Sequence, residues 1–206
     1  MRPTRIPLFP LNVVLFPGMS LPLHIFEPRY RLMVSHCLTH KLEFGMILAS
    51  DKGVATVGCT TQILQTIKIH PEGELDILTE GRAVFRAVDL LSENEYHEAI
   101  VEYLSDGPAE PETKQEDALM GSFQQCHSLL YNRLWSPSPR DAHWPISYRM
   151  ATRLPLELEE KQALLEMRAE PERQEFLAAW LGRVLPQLEM RERARGRAST
   201  NGHSVN

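Results

Sequence analysis

The chain opens with IPLFPLNVVLFPGMSLPLHIFEPRY at residues 6–30, where five prolines interrupt a dense set of apolar side chains. Proline fixes the backbone φ angle and removes an amide donor, so this segment cannot form a long helix. Residues 13–16 favour a β-strand, and Pro17-Gly18 is a strong turn signal. Residues 21–26 then alternate with the period of a half-buried strand, and Pro28 suits the first position of a helix. The sequence therefore predicts an extended, proline-cornered ribbon that leads into one helix.

Composition places the chain among ordinary globular proteins and argues against several functional classes. Of its 206 residues, 43% are hydrophobic and 24% are charged, which is enough to build a sizeable core. The net charge of −5 argues against a general binder of phosphate backbones, which normally carries a basic excess. No apolar run approaches the roughly 20 residues that span a bilayer. Three widely spaced cysteines without a CxxC pair favour free thiols in a reducing compartment, so we expect a cytoplasmic protein.

After a predicted amphipathic helix at residues 28–39, the rest of the first half reads mostly as β-structure. Runs rich in β-formers follow at residues 44–49, 58–69, 75–79, 83–88 and 96–104. The turn signal Glu80-Gly81 predicts a hairpin between the third and fourth of these runs. In the longest run, Ile63, Ile67 and Ile69 share one parity, which predicts that they face the core. Several short strands with close turn signals are typical of a small antiparallel barrel or folded sheet.

The second half of the chain is predicted to be helical and to follow a linker. Residues 106–116 lack apolar periodicity and carry two prolines and several acids, as flexible linkers do. Helical spacing of apolar side chains returns at residues 117–135, 144–153, 158–169 and 172–188. We therefore expect a β-rich subdomain at residues 1–105, the linker at 106–116, a helical subdomain at 117–190, and a polar, disordered tail at 191–206.

Motifs spread over residues 6–188 together resemble one known family. IPLFPL at residues 6–11, VLFPG at 14–18 and LPL at 21–23 form its entry signature, and HIFEPRY at 24–30 matches the form seen in single-domain bacterial members. ELDILTEGRAVFR at residues 74–86 resembles the family's central hairpin. LP at residues 154–155, followed by KQALLE at 161–166, resembles its C-terminal helical part. The chain thus resembles the stand-alone form of the Lon protease N-terminal, substrate-binding domain.

This resemblance implies an α+β fold: a PUA-like, six-stranded β pseudo-barrel with an inserted helix, followed by a C-terminal helical bundle. It also implies recognition of unfolded or damaged proteins, the role of this domain in the full-length protease. The 206 residues contain no GxxxxGK phosphate loop, and none of the five lysines has the setting of the Lon peptidase dyad. We therefore expect a non-enzymatic binding module whose partners are client proteins or a separate protease.

Metal-binding and catalytic patterns in the sequence are weak. His36 and His40 stand four residues apart on the predicted helix, but a metal site needs three or four ligands and only these two are readable. Cys37 and Cys126 fall on apolar helical stripes, which favours core positions over nucleophiles. The sequence therefore predicts no catalytic residue, no metal ligand and no cofactor.

The candidate binding residues lie in the opening ribbon. Phe16, Leu21 and Phe26 would line an apolar groove, beside a polar patch of Glu27, Arg29 and Tyr30. In the structural alternative, Glu27 caps the helix with its negative charge at the positive end of the dipole. An arginine, Arg29 or Arg31, would then pair with a nearby acid, and Tyr30 would fill the end of the barrel.

We expect the module to bind exposed apolar segments of client proteins, through a groove or through strand addition at a free sheet edge. Two other functions stay open at this point. RNA binding is one, because PUA-like barrels often serve it, although the acidic composition argues against it. A small-molecule enzyme is the other, and it would require a deep pocket with convergent polar groups.

Overall fold

The computed structural model describes residues 2–91, 95–107, 114–138 and 142–201 of the chain. The elements, in chain order, are β1 (Arg5–Leu11), β2 (Ser20–Ile25), α1 (Pro28–His40), β3 (Phe44–Ser50), β4 (Gly53–Ile69), β5 (Leu75–Leu91), β6 (Glu98–Tyr103), α2 (Lys114–Tyr131), α3 (Ile146–Ala151), α4 (Leu158–Glu166) and α5 (Glu170–Asn201). They form two compact units. The first contains Met1–Gly107 and Leu156–Arg168, and the second contains Pro108–Pro155 and Ala169–Asn206.

A six-stranded mixed sheet in the order β2-β5-β4-β3-β1-β6 dominates the first unit. β1 and β3 are parallel, and the other pairings are antiparallel. Strand β6 pairs with both β1 and β5, so the sheet curls into a closed arrangement with β2 attached to the outside of β5. Together with the helices of the second unit, this confirms the predicted α+β pseudo-barrel with a C-terminal helical part.

The opening ribbon contributes many side chains to the core of the barrel. β2 and α1 confirm the predicted half-buried strand and the helix that begins at Pro28. The predicted strand at residues 13–16 is wrong. These residues form an irregular segment, and the side chains of the last three are buried. Phe9 packs on Tyr30 with ring centroids 4.2 Å apart, and on Phe44 at 6.1 Å. Aromatic packing therefore joins β1, α1 and β3 around one core.

β5 corrects the predicted hairpin at Glu80-Gly81, because it runs without interruption from Leu75 to Leu91. Gly81 lies in mid-strand for a packing reason: a Cβ atom placed on it would lie 2.1 Å from the carbonyl oxygen of Phe16. Its amide donates to the carbonyl of Met19 at 3.0 Å, and its carbonyl accepts from the amide of Gly18 at 2.9 Å. The glycine thus permits close approach of two backbones rather than a turn.

β4 corrects the predicted inward face of Ile63, Ile67 and Ile69. The register of β4 on β5 shifts between Ile63 and Gln65 and again between Thr66 and Lys68, so Leu64 and Ile67 are extra residues in two β-bulges. Each bulge reverses the alternation of side chains along the strand, so the two bulges account for Ile67, whereas Ile69 returns to the parity of Ile63 and is exposed at the end of the strand. Ile63 keeps its place against the core, but Ile67 is 55% exposed and Ile69 is 70% exposed.

The second unit contains a buried ionic network. The Arg173 side chain, at the start of α5, is fully buried and donates from Nη2 to Glu170 Oε2 at 2.8 Å and from Nε to Ser147 Oγ at 2.9 Å. Its guanidinium also lies over the ring of Tyr148, 4.3 Å from the centroid. Since α3 supplies Ser147 and Tyr148, this network joins α3 to α5.

The unit boundaries differ from the predicted subdomains. α4 belongs to the first unit, where Gln162 Nε2 donates to the carbonyl of Val57 in β4 at 3.1 Å. α5 continues to Asn201, into the span predicted as a tail, and carries exposed ion pairs such as Arg193–Glu189 at 3.4 Å. The predicted linker lies largely outside the described residues, which stop at 107 and resume at 114.

Candidate protein-binding surface

The structure separates the six residues predicted to bind into exposed and buried groups. Phe26, directly after β2, is 58% exposed, and the side chains of Glu27 and Arg29 are about 40% exposed. Leu21 is half-buried and packs against the core. Phe16 and Tyr30 are buried in the core, which corrects their assignment to a binding surface. The predicted apolar groove is therefore reduced to Phe26 and the outer part of Leu21.

Glu27, Arg29 and Tyr30 form a local cluster at the start of α1. Glu27 occupies the N-cap position but makes no side-chain cap hydrogen bond. Its carboxylate instead accepts from Arg29 Nη2 at 2.8 Å and Nε at 3.0 Å. The guanidinium lies 4.5 Å from the Tyr30 ring centroid, and burial raises the pKa of the Tyr30 hydroxyl. The predicted pairing of Arg29 with an acid is confirmed, and the acid is Glu27 of the same cluster.

Within the described residues of the first unit, β2 and part of β4 each have a strand edge without a partner. β2 pairs with β5 alone, and Pro22 removes one amide from its line of donors. β3 ends its pairing with β4 at Thr61, so residues 62–69 of β4 pair with β5 alone. Both edges present backbone donors and acceptors to which an extended peptide can bind.

The outer half of β4 also carries an apolar surface, in which Ile67 and Ile69 were predicted to face the core. Leu64, Ile67 and Ile69 are 45%, 55% and 70% exposed, and we call them the β4 apolar surface. Leu64 and Ile67 are the two bulge residues, so the bulges turn apolar side chains out of the core. A bulge cannot be read from a simple alternation rule, which explains why the sequence pattern placed Ile67 in the core.

A cleft of about 350 Å³ lies between the β3–β4 hairpin and α4, all within the first unit. Its lining is largely apolar, with Leu48, Val54 and Leu158, and the Lys52–Glu159 ion pair lies at its edge at 2.5 Å. The hydrogen bond from Lys52 lowers the pKa of the Glu159 carboxyl. This cleft therefore offers an exposed ion pair and apolar contacts rather than convergent catalytic groups.

The three cysteines are buried and unpaired by disulfides, as predicted for core residues. Burial raises the pKa of the Cys37 thiol to about 12 and that of Cys126 to about 11, and it raises the pKa of Cys59 as well. A nucleophilic cysteine needs the opposite shift, because the thiolate is the reactive form. None of the three thus has the setting of a catalytic thiol.

Within the described residues, none of the helices is both long and apolar enough to cross a membrane.

The chain matches the family model of the ATP-dependent protease La (LON) substrate-binding domain over residues 5–183. That model describes a substrate-binding domain and not a catalytic one.

Relatives and solved structures agree with this match. The Lon protease of Escherichia coli strain K12 is 27% identical over 209 residues, which cover 94% of this chain and 26% of that protease. The Lon protease of Cytophaga hutchinsonii is 22% identical and is again matched over 26% of its length. The chain thus spans about a quarter of the curated relatives that it matches.

Two solved structures share the fold. A Lon N-terminal domain protein from Xanthomonas campestris is 27% identical, with a TM-score of 0.70, and the match covers 86% of this chain and 98% of that one. The N-terminal domain of a Mycobacterium avium complex Lon protease has a TM-score of 0.58 over the same shares and, at 16% identity, supports the fold alone. Since the family model covers most of its length, the chain belongs to the Lon substrate-binding domain family.

Proposed function

We propose that this chain binds exposed apolar segments of client proteins, and that it does so at the β4 apolar surface. The observation that carries the proposal is that two bulges direct Leu64 and Ile67 to solvent beside an unpaired strand edge. Membership in a family described as substrate-binding supports protein clients over other ligands. Adaptor action toward a separate protease would follow from client binding and is part of the same proposal.

Strand addition along residues 62–69 is the mechanism that fits this edge. A client segment in extended conformation would pair its backbone with the edge of β4, and backbone pairing is indifferent to sequence. The β4 apolar surface would then select for apolar side chains. A binder of damaged proteins needs this combination, since its clients share exposed apolar chain but no common sequence.

The available burial predicts modest affinity. Fully burying a leucine or isoleucine contributes about 1.5–3 kcal/mol, and the three side chains have roughly half of that surface left to bury. They would therefore contribute about 2.5–5 kcal/mol in total. Micromolar binding corresponds to about 8 kcal/mol, so backbone pairing must supply the remainder. We expect binding in the micromolar range or weaker.

The test is a fluorescence anisotropy titration of a labelled, permanently unfolded model protein with the full chain. We expect the double variant Leu64→Lys/Ile67→Lys to bind at least about tenfold more weakly, which corresponds to about 1.4 kcal/mol. Val88→Lys is the matched control, because Val88 is an apolar bulge residue of β5 that is 66% exposed. It should bind like the wild type, and circular dichroism should show that both variants are folded.

Equal loss in the control and the double variant, or no loss in either, would refute the assignment of the site. Phe26→Ser provides a separate arm for the binding residues predicted from the opening ribbon, since Phe26 is the exposed aromatic among them. A larger loss for Phe26→Ser than for the β4 double variant would move the site to the β2–α1 connection. Absence of binding by the wild-type chain, above the level of an unrelated acidic protein, would reject client binding itself.

A further inference from the structure

Two histidines and an aspartate converge at the end of the β2–β5–β4 segment. His24 Nδ1 lies 2.7 Å from Asp76 Oδ1, and His70 Nε2 lies 2.8 Å from Asp76 Oδ2. One candidate ligand atom from each of the three residues falls within 4.8 Å of the others. Within the described parts of the chain, no other group of three or more histidine, cysteine or acidic residues meets this condition.

Backbone pairing fixes the three residues relative to one another. His24 in β2 lies directly opposite Asp76 in β5, so their side chains share one face of the sheet. His70 directly follows β4, and its amide donates to the carbonyl of Glu74 at 2.8 Å. The amide of Gly73 in turn donates to the His70 carbonyl at 2.9 Å, which closes the turn. Three separate segments therefore present their side chains to one point.

We propose that this cluster binds a divalent transition-metal ion of the zinc class, with His24 Nδ1, His70 Nε2 and a carboxylate oxygen of Asp76 as ligands. Imidazole nitrogen and carboxylate oxygen are ligands that Zn²⁺ takes in proteins. Glu74 adds a supporting contact, because its Oε2 lies 3.4 Å from His24 Nε2. A metal-binding histidine typically donates its second ring N–H to such a carboxylate, which fixes the ring orientation.

The ligand atoms need only a small rearrangement to hold the ion. Zinc–ligand bonds of about 2.0–2.1 Å at a tetrahedral centre separate the ligand atoms by roughly 3.4 Å. The distance to the Asp76 oxygen that binds the ion, 2.7 Å for Oδ1 from His24 Nδ1 or 2.8 Å for Oδ2 from His70 Nε2, would therefore open by about 0.6–0.7 Å. The side chains of His24, His70 and Asp76 are 50%, 25% and 32% exposed, so small rotations can provide this. Three protein ligands leave a fourth position for water or for a ligand atom from a bound molecule.

The positively charged side chain of Lys68 lowers the affinity of this cluster for a metal ion. Lys68 in β4 lies directly opposite Asp76 on the other side from His24, so its positive charge lies on the same face of the sheet and opposes a cation held there. Removing that positive charge should strengthen metal binding. A gain of metal affinity in a Lys68 variant would indicate a bound cation. The hydrogen bonds of the two histidines to Asp76 do not involve Lys68 and would not produce such a gain.

The experiment is calorimetric titration of the chelator-treated full chain with Zn²⁺ alone at pH 7.5, supported by Co²⁺ absorption spectra. We expect one ion per chain, at least a hundredfold loss of affinity in His24→Ala/His70→Ala, and at least a tenfold loss in Asp76→Asn and in Glu74→Gln. Lys68→Met should bind a few-fold more tightly. His36→Ala/His40→Ala is the matched control, since it removes a histidine pair on α1 whose ring centroids are 4.4 Å apart.

Each outcome decides the question. Binding that is absent in the wild type, or that persists in His24→Ala/His70→Ala, overturns the proposal. Loss of binding in the α1 control instead assigns the ion to His36 and His40 and overturns it equally. If the double variant does not fold by circular dichroism, Asp76→Asn replaces it, because asparagine keeps the shape of the side chain while removing the charge. None of these readouts depends on client binding.

Discussion

Replacing Gly81 by alanine tests the close backbone contact that turns β5 into one continuous strand. The added Cβ would lie 2.1 Å from the Phe16 carbonyl oxygen, whereas a carbon and an oxygen normally approach no closer than about 3.3 Å. The two backbones must therefore separate by roughly 1 Å. That displacement breaks the hydrogen bonds that Gly81 makes with Met19 and Gly18, which are 3.0 and 2.9 Å long.

The magnitude follows from these contacts. Two lost hydrogen bonds cost about 1 kcal/mol each, and overpacking against rigid backbone adds about 2 kcal/mol. Reduced freedom of the unfolded chain returns about 0.5–1 kcal/mol. We therefore expect Gly81→Ala to lower the free energy of unfolding by about 3 kcal/mol. In a unit of about 120 residues this lowers the Tm by roughly 10 °C.

Thermal unfolding followed by far-ultraviolet circular dichroism measures this loss. Gly107→Ala is the control in the same unit, because its Cβ would lie 3.8 Å from the carbonyl oxygen of Arg168, an ordinary contact. It should change stability by less than about 0.5 kcal/mol. Trp135, Trp144 and Trp180 all lie in the second unit, so tryptophan fluorescence follows that unit separately. A Gly81→Ala protein as stable as the control would refute the close-contact argument.

Three further predictions concern other parts of the chain. Gly18→Val should destabilise the protein, because Gly18 has φ = 77°, a region that β-branched residues avoid; a denaturant midpoint equal to wild type would contradict this. Arg173→Met should lower the unfolding free energy by about 3–5 kcal/mol, since it leaves the Glu170 carboxylate without its buried partner, and the tryptophan fluorescence melt should show it. Cys37 should resist alkylation in the native protein at pH 8 but not in denaturant. The pKa of the buried Cys37 thiol is raised to about 12, whereas the thiol of the unfolded chain has a pKa of about 8.5. The contribution of Cys37 to stability is therefore fully present below about pH 8.5 and is lost as the pH rises towards 12. Denaturant titrations at increasing alkaline pH should show this loss.

The sequence identified most elements because local pattern and tertiary environment agree in them. α1 begins at Pro28 and buries Tyr30, Met33, Val34 and Cys37 of its predicted apolar stripe, whereas Leu38, also predicted for that stripe, is 41% exposed. β2 likewise follows the predicted alternation. The prediction of a hairpin within β5 was wrong because glycine occurs both in turns and at close backbone contacts. Glu80-Gly81 resembles a turn in sequence, but Gly81 makes room for the Phe16 carbonyl. The prediction of a strand at residues 13–16 was wrong because a buried irregular segment needs the same apolar residues as a strand.

The candidate site was harder to predict than the fold, for two physical reasons. Bulges shift the alternation by one residue, so the exposure of Ile67 could not be read from parity. The His24–His70–Asp76 cluster is assembled across strand pairs, whereas His36 and His40 are neighbours along one helix and therefore stand out in the sequence. Arg173 did leave a readable signal: it lies four residues before Leu177, on the buried stripe of α5.

The placement of α4 in the first unit has a consequence for how the chain is made. The hydrogen bond from Gln162 to Val57 joins residues 105 positions apart, and Arg168 returns to Asp106 at 2.6 Å across 62 positions. A ribosome releases the amino-terminal strands long before these partners, so the barrel waits for its last helix while residues 108–155 are still being synthesised. A fragment that stops at residue 107 would lack that helix, and expression of the barrel alone should include residues 156–168 joined by a short linker.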